Sequence, residues 1–81
     1  MTVKVRLLGE FRKYLRGRAE PLVFEVPADA SVADLAELLG LDPGLEMIVG
    51  VNGLLARTDS SLADGDEVVF VSPMSGGQST G

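Results

Sequence analysis

Only one stretch of this chain reads as a helix of useful length, and that restricts the architectures open to it. Ser31 is a good N-cap residue, Asp34 stands three positions later as a capping-box partner, and Val32, Leu35, Ala36 and Leu39 share one apolar stripe. Gly40 suits the left-handed conformation that stops a helix, with Leu41 covering the last turn in a Schellman-type ending. A doubly wound sheet needs a crossover helix for each parallel step, so one helix rules it out.

The remaining apolar runs carry strand signatures. Val3, Val5 and Leu7 alternate with Lys4 and Arg6, a period of two that ends near Gly9. Within Glu10 to Gly17, Phe11, Tyr14 and Leu15 have the spacing of a short helical turn, with Arg12, Lys13 and Arg16 facing water. Leu22, Phe24 and Val26 then alternate with Val23 and Glu25, and Pro27 closes this second strand. The first two strands are therefore expected to form a hairpin with a decorated turn.

Beyond the helix, Asp42-Pro43-Gly44 reads as a loop or a single turn and Met47 to Val51 as a buried strand. Asn52-Gly53 has the residue types of a type I′ turn, which pairs Leu54 to Arg57 back as a short edge. Asp64-Gly65-Asp66 is a second turn, leading into Val68 to Val71, whose unbroken apolar character predicts a strand buried on both faces. Neither turn needs a role beyond its geometry. This order predicts an α+β fold in which a mixed sheet grips one main helix and the last strand lies centrally beside the first. That arrangement is the β-grasp, or ubiquitin-like, roll. Residues 1–72 are expected to form it, and residues 73–81, rich in Gly and Ser, to form a flexible C-terminal tail.

Composition narrows the chemistry. A chain of 81 residues buries roughly 60% of its unfolded surface and has little room for an enclosed active site. The absence of cysteine excludes disulfides, thiolate nucleophiles and iron-sulfur clusters, and the absence of histidine removes the usual zinc sites and histidine bases. A net charge of −5 disfavours nucleic acid and anionic membrane as partners. Six of the seven basic residues lie in the first eighteen positions; such a cluster is most often a solvated face, and its functional alternative is contact with an acidic patch on a partner. No apolar run approaches the ~18 residues of a membrane span, and nothing near Met1 resembles an export signal, so a cytoplasmic protein without bound metal or cofactor is expected. What remains is Pro73-Met74-Ser75-Gly76-Gly77, where paired glycines make a thread thin enough to enter a narrow channel.

Three segments together, Val51-Asn52-Gly53, Leu62 to Val68 and Pro73 to Gly77, resemble the small sulfur-carrier proteins of the molybdopterin synthase small-subunit type, related to the thiamine sulfur carriers. The likeness runs from Val3 to Gly77, and the Glu10 to Arg18 insertion looks more like the molybdopterin branch. The resemblance implies a non-catalytic protein co-substrate. An adenylating enzyme uses ATP to activate the C-terminal glycine carboxylate, and sulfur then displaces AMP to leave a thiocarboxylate. Adenylation is needed because a carboxylate is a poor electrophile until its charge is removed and a leaving group is supplied. On this likeness Gly77 bears the sulfur and Gly76 gives access, at the end of an arm that extends at most ~18 Å from Pro73.

The departure from the family pattern is Gln78-Ser79-Thr80-Gly81. With Gly77 in an amide to Gln78 there is no carboxylate to activate, so residues 78–81 are expected to be a pro-segment removed by a processing protease. Gly81 as the reactive end is the weaker alternative, since it lacks a glycine neighbour. Partners implied are the adenylating enzyme and a larger synthase subunit, with Leu8, Leu54 and Phe70 as candidate contacts on the body and Met74 in the arm. Three other readings stay open: a ubiquitin-like modifier conjugated to lysines through Gly77, a carrier for thiamine or another sulfur metabolite, and an inert interaction module.

Overall fold

The structure, a computed structural model, describes residues 1–42 and 46–73. Five strands form one mixed sheet: β1 (Thr2–Leu8), β2 (Leu22–Glu25), β3 (Ile48–Val51), β4 (Leu54–Ala56) and β5 (Glu67–Val71). Their order is β2-β1-β5-β3-β4. β1 and β5 run parallel and every other neighbouring pair is antiparallel. Among the described residues the single α-helix, α1 (Val32–Leu39), lies between β2 and β3 in the chain. This is the expected β-grasp, with the last strand central beside the first.

Helix α1 starts and stops where its sequence directs. Ser31 Oγ accepts from the Asp34 amide at 3.3 Å while the Asp34 carboxylate accepts from the Ser31 amide at 3.0 Å, a complete capping box. The two earlier orphan amides go to a neighbouring segment: Val32 donates to the Ser60 carbonyl at 2.9 Å and Ala33 to that of Thr58 at 2.8 Å. At the other end Gly40 has φ +90°, and the Gly40 and Leu41 amides bond the Glu37 and Ala36 carbonyls at 3.0 and 2.9 Å. Those two bonds are the Schellman pair, and the positive φ is why a glycine stands there. Val32, Leu35, Ala36 and Leu39, the stripe read from the sequence, are all buried.

Against this stripe the sheet presents Val3, Val5 and Leu7 from β1, Val68 and Phe70 from β5, and Val49 from β3. Between β1 and β2 the chain forms a 3-10 helix at Gly9–Leu15 that buries Phe11 and Leu15 and half-buries Tyr14. The expected helical turn is therefore present, in the tighter winding that such a short segment favours.

Three expectations are corrected by the register. The Met47 to Val51 run is not uniformly buried: Val49 faces the core, whereas Ile48 is open to solvent and Gly50 and Val51 are half-buried. β5 is not buried on both faces either, because Val68 and Phe70 point to the core while Val69 and Val71 lie half-covered on the other side. With a single helix, only one face of the sheet is covered. The third correction is Phe70 itself, suggested as a partner contact. It is fully buried, opposite Leu7 on β1 and Val49 on β3, and so belongs to the core.

Two carboxylates lock the loops onto this frame. Asp66 accepts from the Asn52 side-chain amide and from the Ala63 backbone amide, each at 2.8 Å, while Asn52 Oδ1 accepts from the Glu67 amide at 3.0 Å. Asn52 (φ +54°) and Gly53 (φ +82°) form the β3–β4 turn in the left-handed conformation that a type I′ turn needs. The second carboxylate, Glu20, takes the Leu7 amide at 2.6 Å and Arg12 Nη1 at 3.1 Å, with its side chain 16% exposed. The Leu7 amide holds the Glu20 carboxyl below its ordinary range; partial burial opposes this and Arg12 reinforces it.

Two outcomes follow. Phe70→Ala should lower unfolding free energy by about 3–5 kcal/mol in denaturant titration, as expected for emptying a core site. Glu20→Ala should cost about 1–3 kcal/mol at neutral pH by leaving the Leu7 amide unpaired. Because the folded carboxyl has a lowered pKa, its contribution is complete above the ordinary value of 4.5 and is lost as pH falls through the folded value. The gap between wild type and Glu20→Ala in urea midpoint should therefore narrow on acidification; a gap that widens would exclude this account.

Candidate functional site

Among the described residues, the sheet face that α1 does not cover carries a group of exposed apolar side chains. Cross-strand register places Leu8, Val71 and Ile48 in one row across β1, β5 and β3. The next row runs Arg6, Val69, Gly50 and Leu55. Leu55 is 84% exposed, and Leu8 and Ile48 are also open. Five aliphatic side chains, Leu8, Val71, Ile48, Val69 and Leu55, on a face without a helix form the kind of contiguous patch that marks an interaction surface. Gly50 leaves a shallow place between Val69 and Leu55. A Cβ built on Gly50 would meet nothing nearer than the Leu54 carbonyl oxygen at 3.7 Å, an ordinary contact.

Of the body residues picked out from the sequence, only Leu8 is on this face. Leu54 is 72% exposed but lies opposite Val51, so it points to the core side of the sheet and past its edge. Leu55, its neighbour, points the other way, since successive strand residues alternate. Ile48, Leu55, Val69 and Val71 went unrecognised because each sits in a run that is apolar on both sides. Pairing register assigns them to a face, and a single sequence does not print it.

The arm leaves from the end of this same face. Val71 ends β5 within the Leu8–Val71–Ile48 row, Ser72 is buried, and Pro73 is half-buried. The Ser72 hydroxyl oxygen accepts from the Glu10 amide at 2.8 Å. Met74, Gly76 and Gly77, the arm residues singled out from the sequence, lie outside the described residues.

The N-terminal cations are partly engaged within the chain. Arg6 pairs with Glu67 at 3.0 Å and Arg12 with Glu20 at 3.1 Å, and Arg18 donates to the Leu15 and Tyr14 carbonyls at 2.9 and 3.2 Å. Lys13 lies 5.7 Å from the Tyr14 ring centroid. These contacts accord with a solvated face. Among the described residues no group of acidic side chains is placed to hold a metal ion, and no helix is long and apolar enough to cross a membrane.

Solved structures repeat this architecture. SAMP1, the small archaeal modifier protein 1 of Haloferax volcanii, superposes with a TM-score of 0.72 at 26% identity, over 95% of this chain and 100% of its own. A Pyrococcus furiosus protein described as molybdopterin converting factor, subunit 1, gives a TM-score of 0.72 at 26% identity, over 91% of this chain and 99% of its own. A ubiquitin-like protein of Caldiarchaeum subterraneum shares the fold, with a TM-score of 0.52 at 21% identity over 94% of this chain and 100% of its own. The sequence itself matches the ThiS family over residues 5–77. With a β-grasp body, an open apolar sheet face and a family match running to the second glycine of the arm, the chain belongs to the ThiS family of small ubiquitin-like sulfur carriers.

Proposed function

We propose that the chain carries sulfur on the Gly77 carbonyl carbon and delivers it in the synthesis of molybdopterin, for a molybdenum or tungsten cofactor. The observation that carries this reading is the family match, which stops at Gly77 and leaves Gln78 to Gly81 outside it. The similarity to molybdopterin converting factor subunit 1 supports the choice of acceptor.

In this reading a protease first hydrolyses the Gly77–Gln78 peptide bond, releasing a free carboxylate. An oxygen of that carboxylate attacks the α-phosphorus of ATP on the adenylating enzyme, pyrophosphate leaves, and an acyl adenylate forms. A sulfide-level donor then attacks the carbonyl carbon; the bond to the AMP oxygen breaks and a thiocarboxylate remains. The thiocarboxylate sulfur then attacks an acceptor carbon, displacing a leaving group there to give a thioester, and water hydrolyses the thioester, leaving the thiol on the acceptor and regenerating the carboxylate. The chain contributes the electrophilic carbon and an address, and binds no cofactor of its own. Acid-base and phosphate chemistry belong to the partner, and the setting is the cytoplasm.

The address in this proposal is the apolar face around Leu8, Ile48, Leu55 and Val71. It docks first on the adenylating enzyme and later on the larger synthase subunit. Both engagements use the face from which the arm leaves, so they exclude each other, as a shuttle requires. A second reading is favoured by the similarity to SAMP1: activation proceeds identically, but Gly77 is transferred to lysines of other proteins.

The direct test is mass spectrometry of a chain ending at Gly77, incubated with the cognate adenylating enzyme, ATP and a sulfur donor. It should gain the mass of one oxygen-to-sulfur exchange, whereas the chain carrying residues 78–81 should not change. A Gly77-ending chain that is never adenylated overturns the proposal, and isopeptide conjugates in the native host without free thiocarboxylate favour the modifier.

The docking face has its own test in Gly50→Lys, which sets a long cation in the middle of the patch where the fold has space for a side chain. Affinity for the adenylating enzyme should fall about tenfold or more, equivalent to at least about 1.4 kcal/mol. The thermal midpoint should move little. Unchanged affinity would remove this face from the interface.

A further inference from the structure

The junction between β5 and the arm is built in a way that the ladder does not require. Ser72 is the first residue beyond β5, yet its exposure is only 8%. Its hydroxyl oxygen takes the Glu10 amide, from 62 positions away in the chain. That amide belongs to the first turn of the 3-10 helix, whose own N-cap, Leu8, has no side chain able to accept it. Ser72 therefore supplies a cap across the fold.

The corner facing it is fitted to this hydroxyl. Gly9 has φ +63°, and a Cβ built there would collide with Ser72 Oγ. The positive φ and the close approach both call for glycine, and the close approach exists because the serine is there. Pro73 adds stiffness from the other side: its ring fixes its own φ and confines Ser72 to extended backbone. One end of the Ser72-Pro73 unit continues the central strand, and its side chain is tied to a second element.

We infer that Ser72 is a positioning residue for the C-terminal arm: its bond to the Glu10 amide, in the space left by Gly9, fixes the direction in which the chain leaves the body beside the apolar face. The inference rests on the reading that the arm is the reactive end. A carbon presented to a partner's active site reacts at a rate set by how often it is correctly placed, so an anchored root raises its effective concentration once the body has docked. Docking itself depends on the face and not on the hydroxyl. Loss of Ser72 Oγ should thus separate binding from delivery.

The experiment compares wild type, Ser72→Ala and Ser72→Thr in two measurements. In the first, chains ending at Gly77 are adenylated by the cognate enzyme with ATP; the core and the ladder lie upstream of the truncation. Ser72→Ala should lower kcat about fivefold or more with KM nearly unchanged, and Ser72→Thr, which keeps the hydroxyl, should restore it. A purely structural role would lower kcat and KM effects together with stability and would not give this split. In the second, nitrogen-15 relaxation of the full-length chain should show lower order parameters at Ser72 and Glu10, the two residues joined by the lost bond, in Ser72→Ala, with β1 and α1 unaffected. Wild type that turns over alongside a Ser72→Ala variant of equal kcat overturns the inference while leaving the carrier reading intact. If wild type is never adenylated, the carrier reading fails, and the relaxation data alone decide whether Ser72 anchors the arm: unchanged order parameters at both residues refute it.

Discussion

The parallel pairing of β1 with β5 is the constraint on which the rest of this structure depends. It joins the two ends of the described chain, setting Lys4 to Leu8 against Glu67 to Val71. Parallel strands cannot be joined by a short turn, so everything between them must be accommodated on either side. The hairpin to β2 closes one edge, the β3–β4 hairpin completes the other, and α1 covers one face. Each of the three elements packs against the central pair, and the core residues of that pair, Val3, Val5, Leu7, Val68 and Phe70, are the floor on which α1 rests. The same pairing determines where the arm begins, because the chain leaves β5 alongside the end of β1 and the Gly9 corner.

Securing such a pair takes polar contacts as well as apolar ones. Its ladder begins where Asp64 accepts the Thr2 amide and the Gly65 amide donates to the Thr2 carbonyl, at 2.8 and 2.7 Å. It ends where Ser72 receives the Glu10 amide. Between these, Asp66 uses both carboxylate oxygens, one for Asn52 and one for Ala63, so that the turn into β5 and the β3–β4 turn hold each other. A buried carboxylate with both oxygens engaged meets the requirement that buried polar groups be paired. The turns at Asn52-Gly53 and Asp64-Gly65, assigned nothing but their geometry from sequence, therefore act as one brace.

How much of this could be read from the residues alone depended on how local each signal was. The α1 caps were legible because the capping box and the Schellman ending span three to six residues, each with a physical preference of its own. The strand order was legible because one helix leaves few arrangements of five strands. Phe70 was misplaced, and Ile48, Leu55, Val69 and Val71 were missed, for one shared reason. An apolar run does not say which alternate members face inward until a partner strand fixes the register, and for all but Leu55, which pairs with Gly50 across the β3–β4 hairpin, the partners lie far away in sequence. The Glu20 and Ser72 contacts were hidden by the same distance, since a Glu or a Ser in a loop gives no local sign of a distant amide.

The division of labour in the molecule follows from its size. One helix on one sheet buries a core that occupies the whole interior, and the inward side chains of β1, β3 and β5 have no polar group to offer a substrate. In the proposed carrier reading, recognition falls to the sheet face that the helix does not cover. On that face a glycine at position 50 leaves room where any strand-favouring residue would be accommodated. Glycine within a strand is usually destabilising by about 0.5–1 kcal/mol relative to alanine, and neither a positive φ nor a steric conflict accounts for it here. Under the proposed docking, a flat surface that would admit a partner's side chain or backbone between Val69 and Leu55 accounts for it. The body's interior thus serves stability, its open face is the surface proposed for recognition, and the short span from Val71 to Pro73 joins that face to the arm.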